Sequence, residues 1–292
     1  MNKQNQRNEQ VVLANRPDGL PGPDNFEFRD AEIAPPGEGE VLLETLLLSV
    51  DPAMRVWISD EPGYVEPVGL GEVMRAGGIA RVLDSKDPSL QVGDLVQGRL
   101  GWQSFPTIGA RFLTKIDSSL GSPLDWIGPL GGTALTAYFG MHNVASVGVK
   151  DRVLVSAAAG GVGQMAGQIA KIAGASVVGI AGGPAKCDFV VNELGFDAAI
   201  DYRAATSMKE AVEAACPEGI DVYFDNVGGE TLEAALANLR LGGRVALCGR
   251  ISQTATATPY GIRNLGVLIG KRARIQGFLV SDYADEFDKV RA

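Results

Sequence analysis

Histidine is almost absent from this chain. His142 is the only one in 292 residues. A Ser-His-Asp triad would have to be built on it, and no G-x-S-x-G elbow is present to carry the serine. A catalytic zinc needs about three N, S or O ligands, usually in a Cys/His cluster. No such cluster can be assembled here, so no metal is expected. Because His142 sits in an apolar, helical-looking stretch at 137–142, a structural role is expected for it. Cysteine is scarce too: Cys187, Cys216 and Cys248 are odd in number and widely spaced. That predicts free thiols and a reducing compartment, hence a cytoplasmic location. No apolar run is long enough to span a bilayer, and the first ten residues are polar, so neither membrane insertion nor a signal peptide is expected. Positive charge is in deficit, 26 Lys and Arg against 35 Asp and Glu, a net −9. This argues against nucleic acid or an anionic membrane surface as partner. Glycine, by contrast, is abundant, with 38 residues beside 46% hydrophobic content, which suits an α/β protein with tight turns.

The most informative stretch is 152–163. Residues 152–157 form a short Val-rich run, the signal of a buried parallel strand. A small-residue turn follows, and then Val162, Met165, Ala166, Ile169, Ala170 and Ala173 fall at helical spacing. Strand, tight turn and helix in that order suit a dinucleotide: the backbone approaches a pyrophosphate closely and the helix N-terminus points free N–H groups at it. In the G-x-G-x-x-G frame the positions are Ala158, Gly160 and Gly163, so the first glycine is an alanine. A second strand is expected at 176–181. An NAD site usually ends that strand with a carboxylate for the ribose 2′-hydroxyl. Here it ends in Gly182-Gly183-Pro184-Ala185-Lys186. With no acid to repel a 2′-phosphate and a lysine to pair with one, NADP is favoured over NAD.

Short strands with Gly/Pro punctuation are expected at 10–15, 26–33, 40–50, 72–83, 94–100 and 109–116, with a short helix after Asp51. They describe a compact, barrel-like β domain over 1–122. From 123 the rhythm changes. Residues 124–148 read as helix broken at Gly131 and Gly132. Strands are expected at 152–157, 176–181, 198–201, 220–225, 244–249 and 274–280, and helices near 162–173, 185–195, 206–216 and 229–240. This α/β alternation predicts a Rossmann-type doubly wound parallel sheet over 123–292. Ligands of such sheets sit at the carboxyl ends of the strands, where Asn226 and Ser252 are delivered.

These residues resemble a known family. The run 157–163 followed by Gly167-Gln168-Ile169-Ala170-Lys171 is similar to the zinc-independent branch of the medium-chain dehydrogenase/reductase superfamily. The prostaglandin reductase, leukotriene B4 dehydrogenase, alkenal double-bond reductase and curcumin reductase group is the nearer match. Supporting runs are Asp51-Pro52-Ala53-Met54-Arg55, Leu135-Thr136-Ala137-Tyr138, Phe224-Asp225-Asn226-Val227-Gly228-Gly229, Cys248-Gly249-Arg250-Ile251-Ser252 and Ile275-Gln276-Gly277-Phe278. The resemblance implies a GroES-like β domain beside the Rossmann domain, NADP(H) as cofactor, a homodimer, and reduction of the carbon–carbon double bond of enals and enones. It places the pyrophosphate on Gly160, Gly161, Val162 and Gly163. It places the 2′-phosphate by Gly182, Lys186 and Tyr202. Further cofactor contacts are implied for Asn226, Cys248, Ile251 and Ser252, and near the nicotinamide for Thr136, Phe278 and Val280.

Three departures bear on the substrate. Ala53, Thr254 and Gly270 stand where relatives often carry tyrosine, which implies a wider pocket. Arg55, Tyr64 and Tyr260 remain as substrate-side candidates, and no residue is assigned as proton donor. Family members also run on beyond the position of Val290 and return to the β domain, a segment expected to be missing here. Two alternatives to enone reduction are a quinone reductase using the same cofactor and a non-catalytic NADPH-binding protein.

Overall fold

The computed structural model describes residues 6–60, 63–254 and 260–292; the first five residues of the polar N-terminal stretch lie outside the described residues. The chain divides into two compact units, Met1–Ile127 and Gly128–Ala292.

The first unit is antiparallel. β1 (Asn8–Leu13) pairs with β2 (Phe26–Ala31). β3 (Glu40–Leu48) leads to the one-turn helix α1 (Met54–Trp57), then to β4 (Gly77–Ser85), β5 (Leu95–Arg99), β6 (Thr107–Gly109), β7 (Leu113–Lys115) and α2 (Pro123–Ile127). The larger sheet has the order β6-β3-β4-β5-β7. Val41 and Leu43 on β3 and Ala80 and Val82 on β4 are fully buried, the period-two alternation of a sheet with one face in a core. Two expectations are corrected here. The strand expected over 109–116 holds only Gly109, the last residue of β6, and β7, parted by a 3-10 turn at Ala110–Phe112. β6 pairs with β3 and β7 with β5, at opposite edges of the sheet. Three residues cannot cross a flat five-stranded sheet, whose strands lie about 4.8 Å apart, so the sheet is curled, which brings its two edge strands within reach of that turn. The strand expected from 72 begins only at Gly77, because Glu72 closes a turn: its N–H donates to the Gly69 carbonyl and its carboxylate accepts from the Gly69 N–H.

The second unit begins with α3 (Gly132–Phe139), which continues as a π turn over Gly140–Val144. β8 (Arg152–Ser156), α4 (Gly161–Ile172), β9 (Ser176–Ala181), α5 (Pro184–Asp188), β10 (Ala198–Asp201), α6 (Met208–Ala215), β11 (Ile220–Asp225), α7 (Gly229–Ala237), β12 (Leu239–Leu247), α8 (Val267–Lys271), β13 (Arg274–Gly277) and α9 (Phe287–Arg291) follow. All six strands are parallel, in the order β10-β9-β8-β11-β12-β13. Both faces are covered. Val153, Val155, Val177 and Phe224 enter one core, and Leu154, Ile180, Tyr223 and Val245 enter the other. Strands buried on both faces read as unbroken apolar runs rather than alternation, which is why β8, β9 and β11 stand out in the sequence.

The expected helix over 185–195 is α5 followed by a π turn at Phe189–Glu193. The strand expected at 274–280 stops at Gly277, and Val280–Glu286 forms 3-10 turns. The last residues pack back within the unit: Tyr283 stacks on Phe139 with centroids 4.4 Å apart, and Arg291 donates to the Leu130 carbonyl. Among the described residues no helix is long and apolar enough to cross a membrane.

Candidate dinucleotide site

Successive crossovers from β8 run first through β9 and β10 on one side, then through β11, β12 and β13 on the other. The order reverses between β8 and β11, the switch point where such sheets open a crevice at their carboxyl ends.

The loop after β8 is built for close packing. Ala157 has φ +49°, a left-handed conformation that costs a non-glycine residue roughly 1–2 kcal/mol. Its carbonyl accepts from the Gly160 N–H at 2.9 Å. A Cβ on Gly163 would lie 2.2 Å from that same carbonyl oxygen, so only glycine lets α4 approach the turn. Ala158, in the first frame position, is fully buried, and its Cβ would lie 2.8 Å from a Cβ on Gly179. Alanine is tolerated there because the facing position on β9 has no side chain. Gly160 and Gly161 are exposed and α4 has no side-chain cap. The first helical N–H with a partner belongs to Gln164, which donates to the Gly160 carbonyl. The N–H groups of Gly161, Val162 and Gly163 therefore precede the ladder and face outward with the positive end of the helix dipole.

At the end of β9, Gly182 lies flat against Tyr202, and a Cβ would meet its ring at 2.7 Å. Lys186 on α5 and Tyr202 after β10 are both exposed. Arg203, a residue the sequence reading passed over, joins them with its guanidinium carbon 5.9 Å from the Tyr202 ring centroid. Its signal was in the sequence, a base directly after the tyrosine that follows β10. Asp201 is close by, but its Oδ1 accepts from the Gly183 N–H at 2.7 Å and the Arg203 N–H at 3.0 Å. Those bonds, Gly183 first, hold its carboxyl below the usual range.

Beyond the switch point, Asp225 at the end of β11 is fully buried. Its Oδ1 accepts from the Tyr223 hydroxyl at 2.7 Å, the Val227 and Gly228 N–H groups at 2.9 Å each, and the Ser156 hydroxyl at 3.3 Å. Its Oδ2 is buried without a hydrogen-bond partner. Burial raises the Asp225 carboxyl above its ordinary value against those bonds, and burial followed by the Asp225 charge pushes the Tyr223 phenol far up. The Asn226 carboxamide donates to the Ser156 carbonyl at 2.8 Å. Cys248 follows β12, half-buried, with its N–H on the Asp225 carbonyl and its thiol pushed up to about 12 by burial and then by Asp225. Ser252 donates to the Val227 carbonyl, while Ile251 beside it is exposed. Phe278 meets Phe224 edge-on at 6.4 Å, and Val280 is half-buried beyond it. Thr136 bonds back to the Gly132 carbonyl inside its own helix at 2.7 Å.

The substrate-side candidates fall in both units. Arg55, in the first unit, donates to the Gly19 and Pro17 carbonyls, so its guanidinium pins the loop after β1. Tyr64, in the same unit, is half exposed and accepts from the Trp57 indole. Tyr260 belongs to the second unit. Its hydroxyl donates to Glu233 and accepts from Arg263, within a clamp in which the Arg263 side chain first, then its N–H, brings Glu233 down to about 2. His142 is exposed, with its ring 4.5 Å from that of Tyr138, and partial burial lowers its pKa. Among the described residues, no group of three or more His, Cys, Asp or Glu is placed to hold a metal ion.

The chain is similar to known proteins over both units. Residues 9–116 match the N-terminal domain of oxidoreductase, and residues 161–292 match the family described as zinc-binding dehydrogenase. The second stretch contains no histidine. The chain is 42% identical to the NADPH-dependent curcumin reductase of Escherichia coli over 97% of this chain and 84% of that protein. Against the NADP-dependent 2-alkenal reductase of Nicotiana tabacum the identity is again 42%, covering 97% and 84%. Among solved structures, CurA from Vibrio vulnificus in complex with NADPH superposes with a TM-score of 0.91 at 38% identity, covering 97% of this chain and 86% of that one.

Proposed function

We infer the function from one premise: this chain belongs to the zinc-independent medium-chain dehydrogenase/reductase family, in the group of the curcumin, alkenal and prostaglandin reductases. Its activity is the NADPH-dependent reduction of the carbon–carbon double bond of α,β-unsaturated aldehydes or ketones. The observation that carries this reading is the corner at the ends of β9 and β10. There Lys186, Tyr202 and Arg203 are exposed, no carboxylate ends β9, and Asp201 at the end of β10 is taken up by two backbone N–H groups. A 2′-phosphate fits that corner and a bare ribose hydroxyl gains nothing from it.

NADPH, when bound, supplies a hydride for the β-carbon of the enone. This chain's residues bind and orient it. Gly161, Val162 and Gly163 present N–H groups to the pyrophosphate, Lys186 and Tyr202 hold the 2′-phosphate with Gly182 giving them room, and Asn226, Cys248, Ile251 and Ser252 border the far half. Thr136, Phe278 and Val280 complete that end. On the substrate side, Tyr64 offers a hydroxyl hydrogen committed to no partner among the described residues, whereas Arg55 already donates to two loop carbonyls through Nε and Nη2 and the Tyr260 hydroxyl both donates and accepts within its clamp. A cytoplasmic homodimer is the assembly we assign, supported by three unpaired cysteines and by β13, whose outer side has no strand partner among the described residues.

The test is consumption of NADPH, followed at the reduced-nicotinamide band, with a panel of enals, enones and quinones. Turnover with enones well above that with quinones supports the reading. Preferred turnover of quinones replaces it with a quinone reductase, and tight NADPH binding with no turnover replaces it with a binding protein.

A further inference from the structure

We propose that Asp225 is a positioning residue that presets the sheet edge receiving the nicotinamide half of the cofactor, an inference that rests on the NADPH reading above. The topology separates the two halves of the ligand. With the pyrophosphate at the β8–α4 turn, the 2′-phosphate corner lies toward β9 and β10, so the other half of the dinucleotide lies across the switch point toward β11 and β12.

Asp225 is where three strand ends on that side meet. Its Oδ1 collects four donors: the Ser156 hydroxyl from the end of β8, the Tyr223 hydroxyl from its own strand, and the Val227 and Gly228 N–H groups from the turn beyond. Its backbone carbonyl takes the N–H groups of Cys248 and Gly249, which follow β12. Ser156 passes the constraint on, accepting the Asn226 N–H at 2.9 Å while the Asn226 carboxamide donates to the Ser156 carbonyl. The turn so held is an uncommon one. Gly228 and Gly229 have φ of +70° and +57°, and a Cβ on Gly249 would sit 2.9 Å from the Asn226 carbonyl. A carboxyl buried this deeply, with Oδ2 unpartnered, is costly to the fold. A neutral side chain would pack at less expense, so the four-donor hub is its compensation. Removing it frees Asn226 and the double-glycine turn while leaving the phosphate loop and the Lys186 corner in place. Asp225 acts through these groups and touches no ligand itself.

The experiment compares two ligands in the full chain, NADPH and 2′-phospho-ADP-ribose, which lacks the nicotinamide. Dissociation constants are measured by calorimetry for wild type, Asp225→Asn, Asp225→Ala and Ser156→Ala. Asp225→Ala is expected to weaken NADPH at least tenfold while 2′-phospho-ADP-ribose stays within about threefold. Asp225→Asn, which retains an acceptor at Oδ1, is expected to recover most of the loss. Should Asp225→Ala not fold, Ser156→Ala decides by the same split, with a several-fold loss for NADPH alone. Equal weakening of both ligands would reduce Asp225 to a general structural role and overturn the proposal, as would wild-type binding of NADPH in every folded variant. Wild-type protein that binds neither ligand overturns the cofactor reading itself, and the inference with it.

Discussion

At the scale of single residues, charge and burial decide what each group near the cofactor edge can do. Lys186 is exposed and carries no ion pair among the described residues, so its charge is free for a phosphate. Lys186→Ala should raise the KM for NADPH by about 10- to 100-fold, the range of a charge-assisted hydrogen bond worth roughly 1.5–3 kcal/mol. NADH, which has no 2′-phosphate, should show the same KM before and after, and the two measured side by side check the assignment. Arg203→Ala should move in the same direction and less. The thiols give a second prediction. Burial pushes Cys216 up to about 11 and Cys248 up to about 12. At pH 8 roughly one Cys248 in ten thousand is then a thiolate, against about one in four for a free cysteine. Native protein treated with iodoacetamide at that pH should leave both unmodified by intact mass, and all three cysteines should react once the chain is unfolded in urea. Fast native alkylation of Cys248 would contradict its placement.

At the scale of elements, the parts legible in sequence were those whose signal is local. β9, β10 and β11 fall on the expected spans because an apolar run between turn residues fixes both ends. α6 was expected from 206 but begins at Met208, because Ser207 caps it, its hydroxyl accepting the Glu210 N–H at 3.3 Å. Ser207→Ala should cost about 1 kcal/mol and lower the melting temperature by about 2–4 °C with cofactor affinity unchanged, as a thermal melt with and without NADPH would record. The misread elements have non-local causes. Nothing within residues 107–116 announces that β6 pairs with β3 and β7 with β5. The helical end of the chain has a non-local anchor, Tyr283 and Phe287 packing on Phe139 at 4.4 and 6.1 Å. Within the candidate site, the glycine loop was proposed from spacing, and Lys186 from a base standing where an NAD site has an acid. The Asp225 hub could not, since Ser156 and Asp225 are 69 residues apart and meet only when β8 and β11 pair.

At the scale of the whole molecule, each unit has its own cores, and every cofactor residue assigned above lies in the second. A fragment spanning Gly128–Ala292 should therefore fold alone and bind 2′-phospho-ADP-ribose within about threefold of the full chain, while reducing no enone. Circular dichroism and calorimetry on that fragment are the check, and a fragment that is unfolded would show that its two cores do not suffice. The curled sheet of the first unit has a bearing on how the protein survives in a crowded solution. The outermost strands of a sheet are where a stray chain can add itself, and long flat edges seed aggregates. Here the two outermost strands, β6 and β7, are three residues each and flank the 3-10 turn at Ala110–Phe112. An intruding chain would find only three ladder positions on either side before the backbone turned away. The turn at Ala110–Phe112 thus does for colloidal stability what charged gatekeeper residues do in flatter sheets.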